Sequence, residues 1–181
     1  HTRSVPLLSK LRKSRRYTNA IRAGVAEAIM RNGHPALLHL HVIWRGAVAV
    51  LPLLRELRVP LLISEHWSGY LPQDGNYNGF LINSYTERIV NRARLISVVS
   101  KPMHKAMQQH GLKGNYSMLH NVTDTDLFKP VPVLLDNEPF KLIHVSSLTE
   151  REKNISGMLR VMETLNNEKI TLTIIGSGPE K

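Results

Sequence analysis

Residues 140–181 read Phe-Lys-Leu-Ile-His-Val-Ser-Ser-Leu-Thr-Glu-Arg-Glu-Lys-Asn-Ile-Ser-Gly-Met-Leu-Arg-Val-Met-Glu-Thr-Leu-Asn-Asn-Glu-Lys-Ile-Thr-Leu-Thr-Ile-Ile-Gly-Ser-Gly-Pro-Glu-Lys. The first nine form an apolar run closing on small polar residues, as a buried strand feeding a loop does. A polar loop holding Lys153 follows. Asn154 is placed to cap a helix whose Ile155, Met158, Leu159, Met162 and Leu165 keep three-and-four spacing, with Glu163 and Glu168 off that face. Residues 170–175 are rich in β-branched side chains and predict a second strand. Gly176 and Gly178 then allow a tight turn in which backbone N–H groups approach a phosphate. The reading is half of a nucleotide-binding βαβ unit.

Immediately upstream, residues 129–139 carry three prolines, as an interdomain linker does. The domain boundary is placed near Pro130: residues 1–130 form one domain, 131–139 the linker, and 140–181 the start of a second domain. Further back, a helix is expected from about Tyr17 to Met30, broken by Asn32-Gly33-His34-Pro35. Strands follow at Ala36–Ile43, Pro60–Ser64, Leu95–Val99 and near Tyr116–Leu119. Helices alternate with them at Gly46–Leu57, up to about Asn91, and at Pro102–His110. This βαβαβαβ order predicts an α/β fold with a Rossmann-like, mainly parallel sheet and helices on both faces.

Composition bounds the function. The chain has 181 residues, 42% of them hydrophobic, enough for a buried core, and no cysteine, which excludes disulfides and thiolate metal sites. No apolar run approaches the roughly 20 residues that span a bilayer, and nothing resembles a signal peptide. The expectation is a cytoplasmic chain, at most peripheral to a membrane. Positive charge is local: residues 1–60 hold 11 Lys and Arg against Glu27 and Glu56, net +9, whereas residues 61–181 hold 13 against 12, net +1. Its peak is Lys10, Arg12, Lys13, Arg15, Arg16 and Arg22. Near an anionic lipid surface each such charge is worth about 1 kcal/mol; the alternative is a solvated helix face. A nucleic-acid binder would fit the charge, but no aromatics interleave with it as stacking platforms require.

Ligands of open parallel sheets sit beyond the carboxyl ends of the strands. Polar side chains recur there: His39 and His41 on one strand, Glu65 and His66 after the next, Ser97 and Ser100, then His120 and Asn121. Singly, His39, His41, His104, His110, His120 and His144 read as hydrogen-bonded or surface histidines, whereas His66, between a strand and a glycine-containing loop, reads as a site residue. His39, His41 and His66 would make a zinc triad on adjacent strands. The His-x-His pattern is too common on strands to carry that, and no metal is expected. No serine lies in a Gly-x-Ser-x-Gly turn, which argues against a serine triad.

Asn121-Val122-Thr123-Asp124-Thr125-Asp126-Leu127-Phe128-Lys129-Pro130 resembles the Asn-Gly-Val-Asp, Phe, Pro signature that closes the N-terminal domain of family 4 glycosyltransferases of the two-domain B-type fold. His66 resembles the histidine those enzymes carry after a central strand, and Ser97 to Ser100 their Val-Ser segment. Ser146-Ser147-Leu148 through Lys153-Asn154 is similar to their Gly-Arg-Leu through Lys-Gly element, and Gly176-Ser177-Gly178-Pro179-Glu180 to their Gly-x-Gly-Pro turn. The resemblance covers residues 36–181 and departs twice. Ser147 stands where many members have an arginine, and the Glu-x7-Glu element, first strand and acceptor loop are missing, as in a fragment lacking both ends.

That resemblance implies a retaining sugar transfer from a nucleotide-sugar, the co-substrate, to a glycan or lipid-linked acceptor, as in cell-surface polysaccharide synthesis. No cofactor is implied, and the piece itself is expected to be inactive. His66 is implied to contact the donor sugar or orient the reacting groups. Lys153, Ser147, Gly176 and Gly178 are implied around the donor diphosphate. Weaker candidates are Arg45 and Gly46, an anion position at a helix start; Glu65, a polar contact or the partner of a basic side chain; and Asn121 and Asp124, which suit the loop into the linker. Trp67 and Tyr70 can stack on a sugar or anchor the loop. Residues 10–22 would dock on the inner face of the cytoplasmic membrane. A non-catalytic scaffold, a sugar-nucleotide epimerase of similar fold and a nucleic-acid module are the alternatives.

Overall fold

A computed structural model describes residues 7–130, 140–166 and 169–179. The proline-rich linker at 131–139 lies outside the described residues. Two compact units are distinguished, His1–Val122 and Thr123–Lys181.

In the first unit, helix α1 spans Leu7–Asn32, ten residues earlier at its start than the expected helix. It ends where the sequence breaks: Gly33 adopts φ 85°, and its N–H bonds the Ile29 carbonyl at 2.8 Å, a glycine closure of a helix C-terminus. Four strands, β1 (Leu38–His41), β2 (Leu61–Glu65), β3 (Ala93–Val98) and β4 (Tyr116–Met118), alternate with α2 (Ile43–Leu57), α3 (Phe80–Val90) and α4 (Lys101–Gln109). All pairings are parallel and the order is β1-β2-β3-β4.

That sequential order decides which face is covered. Right-handed crossovers that always step in the same direction bring every connecting helix to the same side. One core joins Ile43, Ala47 and Leu51 of α2, Ile89 and Val90 of α3, and Met103 and Met107 of α4 to Leu61, Ile63, Ile96 and Val98 of the sheet. The expected helices on both faces are therefore replaced by α2, α3 and α4 on one. The other face carries His39, His41, Leu62, Ser64, Leu95, Ser97 and Ser117; His41, Ser64, Ser97 and Ser117 stand in register across all four strands. Helix α1 packs on α2, and Arg22 pairs with Glu56 at 2.6 Å.

In the second unit, β5 (Phe140–Val145) pairs in parallel with β6 (Ile170–Ile175). Between them lie a one-turn helix α5 (Glu150–Lys153) and α6 (Ile155–Leu165). Lys153 thus closes a helical turn rather than sitting in open loop. Asn154 joins the helices in a left-handed conformation, φ 51°, and its side chain caps nothing. The capping oxygens come from Glu150, whose carboxylate accepts from the Ser156 N–H at 2.9 Å and hydroxyl at 2.5 Å. Those two donors hold its carboxyl below the usual range.

Candidate functional site

The carboxyl ends of β1 and β2 converge on one buried carboxylate. Glu65 is fully inaccessible. One oxygen accepts the backbone N–H groups of His66 and Trp67, each at 2.9 Å. The other accepts the Ile43 N–H at 3.0 Å and the Tyr70 hydroxyl at 3.2 Å. These four partners are neutral donors, so the expected pairing with a basic side chain is not what Glu65 does. Burial raises its carboxyl above the ordinary range against the opposing pull of those donors. The same burial, with the charge of Glu65 beside it, drives the Tyr70 hydroxyl well upward, and the Tyr116 hydroxyl to about 12.

Beside this carboxylate the chain is strained. Val42, between β1 and α2, holds φ 62° and ψ 113°, which a β-branched residue adopts only when its surroundings over-determine it. Its N–H bonds the Ser64 carbonyl at 2.9 Å, and the next N–H, of Ile43, goes to Glu65. The sheet thus fixes one side of the kink and Glu65 the other.

His66 is exposed, and its ring lies 6.2 Å from His41, within 4° of parallel. His39 and His41 are closer, 4.1 Å between ring centres. His39 also heads a hydrogen-bond chain across the open sheet face: Nε2 to Ser64 Oγ at 2.9 Å, then Ser64 Oγ to Ser97 Oγ at 2.8 Å. Ser97 donates to the Ile63 carbonyl at 3.3 Å. The direction follows from that last acceptor: with the Ser97 proton committed, Ser64 donates to Ser97 and His39 donates through Nε2–H. Burial first, and the neighbouring His41 second, lower the pKa of His39. Among the described residues no three metal-binding side chains form an ion-holding group.

Next to His66 runs an aromatic ladder: Trp44 to Trp67 at 4.6 Å, Trp67 to Tyr70 at 5.2 Å, and Tyr70 to Tyr77 at 4.7 Å. Tyr70 is buried and anchors the loop; Trp67 is half-buried. A Cβ at Gly69 would run into the Trp67 indole, so the glycine lets the ring fold back over the turn at Ser68–Tyr70. Gly46 serves a similar close approach, because a Cβ there would strike the Leu40 side chain of β1. Arg45 lies on α2, and its side chain is outside the described part of the structure.

In the second unit, the loops after β5 and β6 are knit backbone to backbone. Ser146 N–H bonds the Ile175 carbonyl at 3.1 Å and Leu148 N–H the Ser177 carbonyl at 3.0 Å. A Cβ on Gly176 would strike the Ser146 carbonyl, and one on Gly178 the Leu148 backbone. Neither glycine has positive φ, so close loop packing is what demands them. Ser147 lies exposed on this seam, and Lys153 is exposed one helical turn on. Asp124 holds its own turn, its carboxylate accepting Asp126 and Leu127 N–H at 2.9 and 3.1 Å, while Asn121 is exposed.

Sequence reading missed Trp44, the strain at Val42 and the Ser64–Ser97 link. The last had a signal: a small polar residue at the same position of two otherwise apolar strands, legible once register is known. The Ser100 hydroxyl accepts the Met103 N–H at 3.4 Å and so caps α4. The family model described as Glycosyltransferase Family 4 matches residues 1–127. No curated protein matches the chain.

Proposed function

Because the chain belongs to Glycosyltransferase Family 4, we propose that it transfers a sugar from a nucleotide-sugar donor to a hydroxyl of a glycan or lipid-linked acceptor with retention of configuration. The family match over residues 1–127 carries this reading. In the step, the bond from the anomeric carbon to the diphosphate oxygen breaks and the bond to the acceptor oxygen forms. The acceptor proton passes to the departing diphosphate.

Negative charge grows on that diphosphate, so preorganised positive charge and N–H dipoles beside it favour the transition state over the ground state. Lys153 is the cation assigned to it, and Ser147 and the backbone at Gly176 and Gly178 are the polar surface. The knitted β5 and β6 loops support this, since a surface that is already rigid needs no reorganisation during the reaction. His66 is assigned to the donor sugar. Its support is the position at the carboxyl end of β2, with its backbone held from below by Glu65.

Turnover is read on the protein in its full natural length, as release of nucleoside diphosphate from a panel of nucleotide-sugars. Lys153→Ala is expected to lower kcat tenfold or more; unchanged turnover would refute the role of Lys153. A non-catalytic scaffold is the second reading, favoured by Ser147 at the place of the family's arginine. No release from any donor, with donor binding retained, would establish it.

A further inference from the structure

We infer that Glu65 is the positioning residue of this site, a buried clamp that fixes the His66–Trp67 backbone and the strained β1–α2 junction with one carboxylate. Three independent observations meet there. Its oxygens take the N–H groups of His66 and Trp67 on one side and of Ile43 on the other. The residue before Ile43 holds a positive φ that a β-branched side chain avoids. The side chain is wholly buried and, among the described residues, has no cationic hydrogen-bond partner. A buried charge balanced only by oriented dipoles is costly to keep for fold alone; the geometry it imposes on both strand ends is what it supplies in return. The Trp67 indole stays against Trp44, and the His66 ring stays parallel to His41. The inference rests on the assignment of His66 to the sugar.

The chain's two tryptophans, Trp44 and Trp67, touch each other at this junction, which makes fluorescence a local reporter. In Glu65→Gln one carboxylate oxygen becomes an amide nitrogen, which donates and cannot accept. The expected result is a shift in tryptophan emission, a shift of the His66 imidazole resonance, and a tenfold or larger fall in kcat with KM for the donor within twofold. Adding Val42→Gly, which removes the strained φ, should restore Tm without restoring kcat or the resonance. Emission, resonance and kcat all unchanged in E65Q would overturn the clamp, as would recovery of kcat together with Tm in the double variant.

Should E65Q not fold, Tyr70→Phe keeps the carboxylate and removes one donor. The other groups facing Glu65 are the Ile43, His66 and Trp67 N–H groups and, through charge, Tyr116 of β4. The pH at which the His66 resonance responds to Glu65 should then move upward, and an unmoved profile would overturn the inference. Failure of the His66 assignment is separable: it would appear as undiminished turnover in His66→Ala, whatever the spectra of the Glu65 variants.

Discussion

At the scale of single residues, the buried Glu65 and the exposed His39 carry pKa shifts of opposite sign. Glu65 has a carboxyl raised above its ordinary 4.5, so the folded state holds the proton more tightly than the unfolded chain. Its contribution to stability is complete below 4.5 and is lost as pH rises through the raised value. The unfolding free energy of the wild type relative to Glu65→Gln should therefore shrink across that window in urea titrations. Glu65→Ala, which strips the acceptor from three N–H groups and a phenol, is expected to cost at least about 2 kcal/mol. His39 runs the other way. Its pKa lies below 6.5, so its contribution grows as pH rises to 6.5, and His39→Gln should flatten that rise. The position of His66 at the end of β2 was legible from its place after a strand. The contacts of Glu65 were not, because three of its four partners are backbone N–H groups, which any non-proline residue carries.

At the scale of elements, two glycines separate propensity from packing. Gly24 lies inside α1, where an added methyl would find nothing within 4 Å and φ is not positive. Gly24→Ala should raise stability by about 0.5–1 kcal/mol. Gly178→Ala, whose methyl would meet the Leu148 backbone, should lower it by about 1–3 kcal/mol. A lowered melting temperature for Gly24→Ala would contradict the first account, and an unchanged or raised one for Gly178→Ala the second. Element type was readable because apolar periodicity is local; β6 coincides with its expected residues, Ile170–Ile175. The start of α6 falls where expected, after Asn154, but the capping oxygens belong to a glutamate four residues before Asn154 rather than to Asn154 itself. A side chain reaching forward six residues leaves no mark in the spacing.

At the scale of the whole molecule, charge is the property that composition predicts best. Residues 1–60 carry net +9, and Arg12, Lys13 and Arg16 share one stretch of α1 around a shallow depression of about 260 Å³. Sedimentation with anionic vesicles at low salt should exceed that with neutral vesicles, and 0.5 M salt should abolish the difference, since the Debye length falls to about 4 Å; equal binding to both would dismiss a lipid surface as partner. Which face of the sheet the helices cover was not legible, because alternation of strand and helix is the same for one-sided and two-sided winding and only strand order distinguishes them. The row formed by His41, Ser64, Ser97 and Ser117 acts as a lock on assembly. Were β2 to dock one residue out of step, Glu65 would turn outward and Ser64 inward. The helices would lose their anchor, and the mispaired sheet would bury hydroxyls where it needs Ile63. Strand pairing is thereby proofread by polarity.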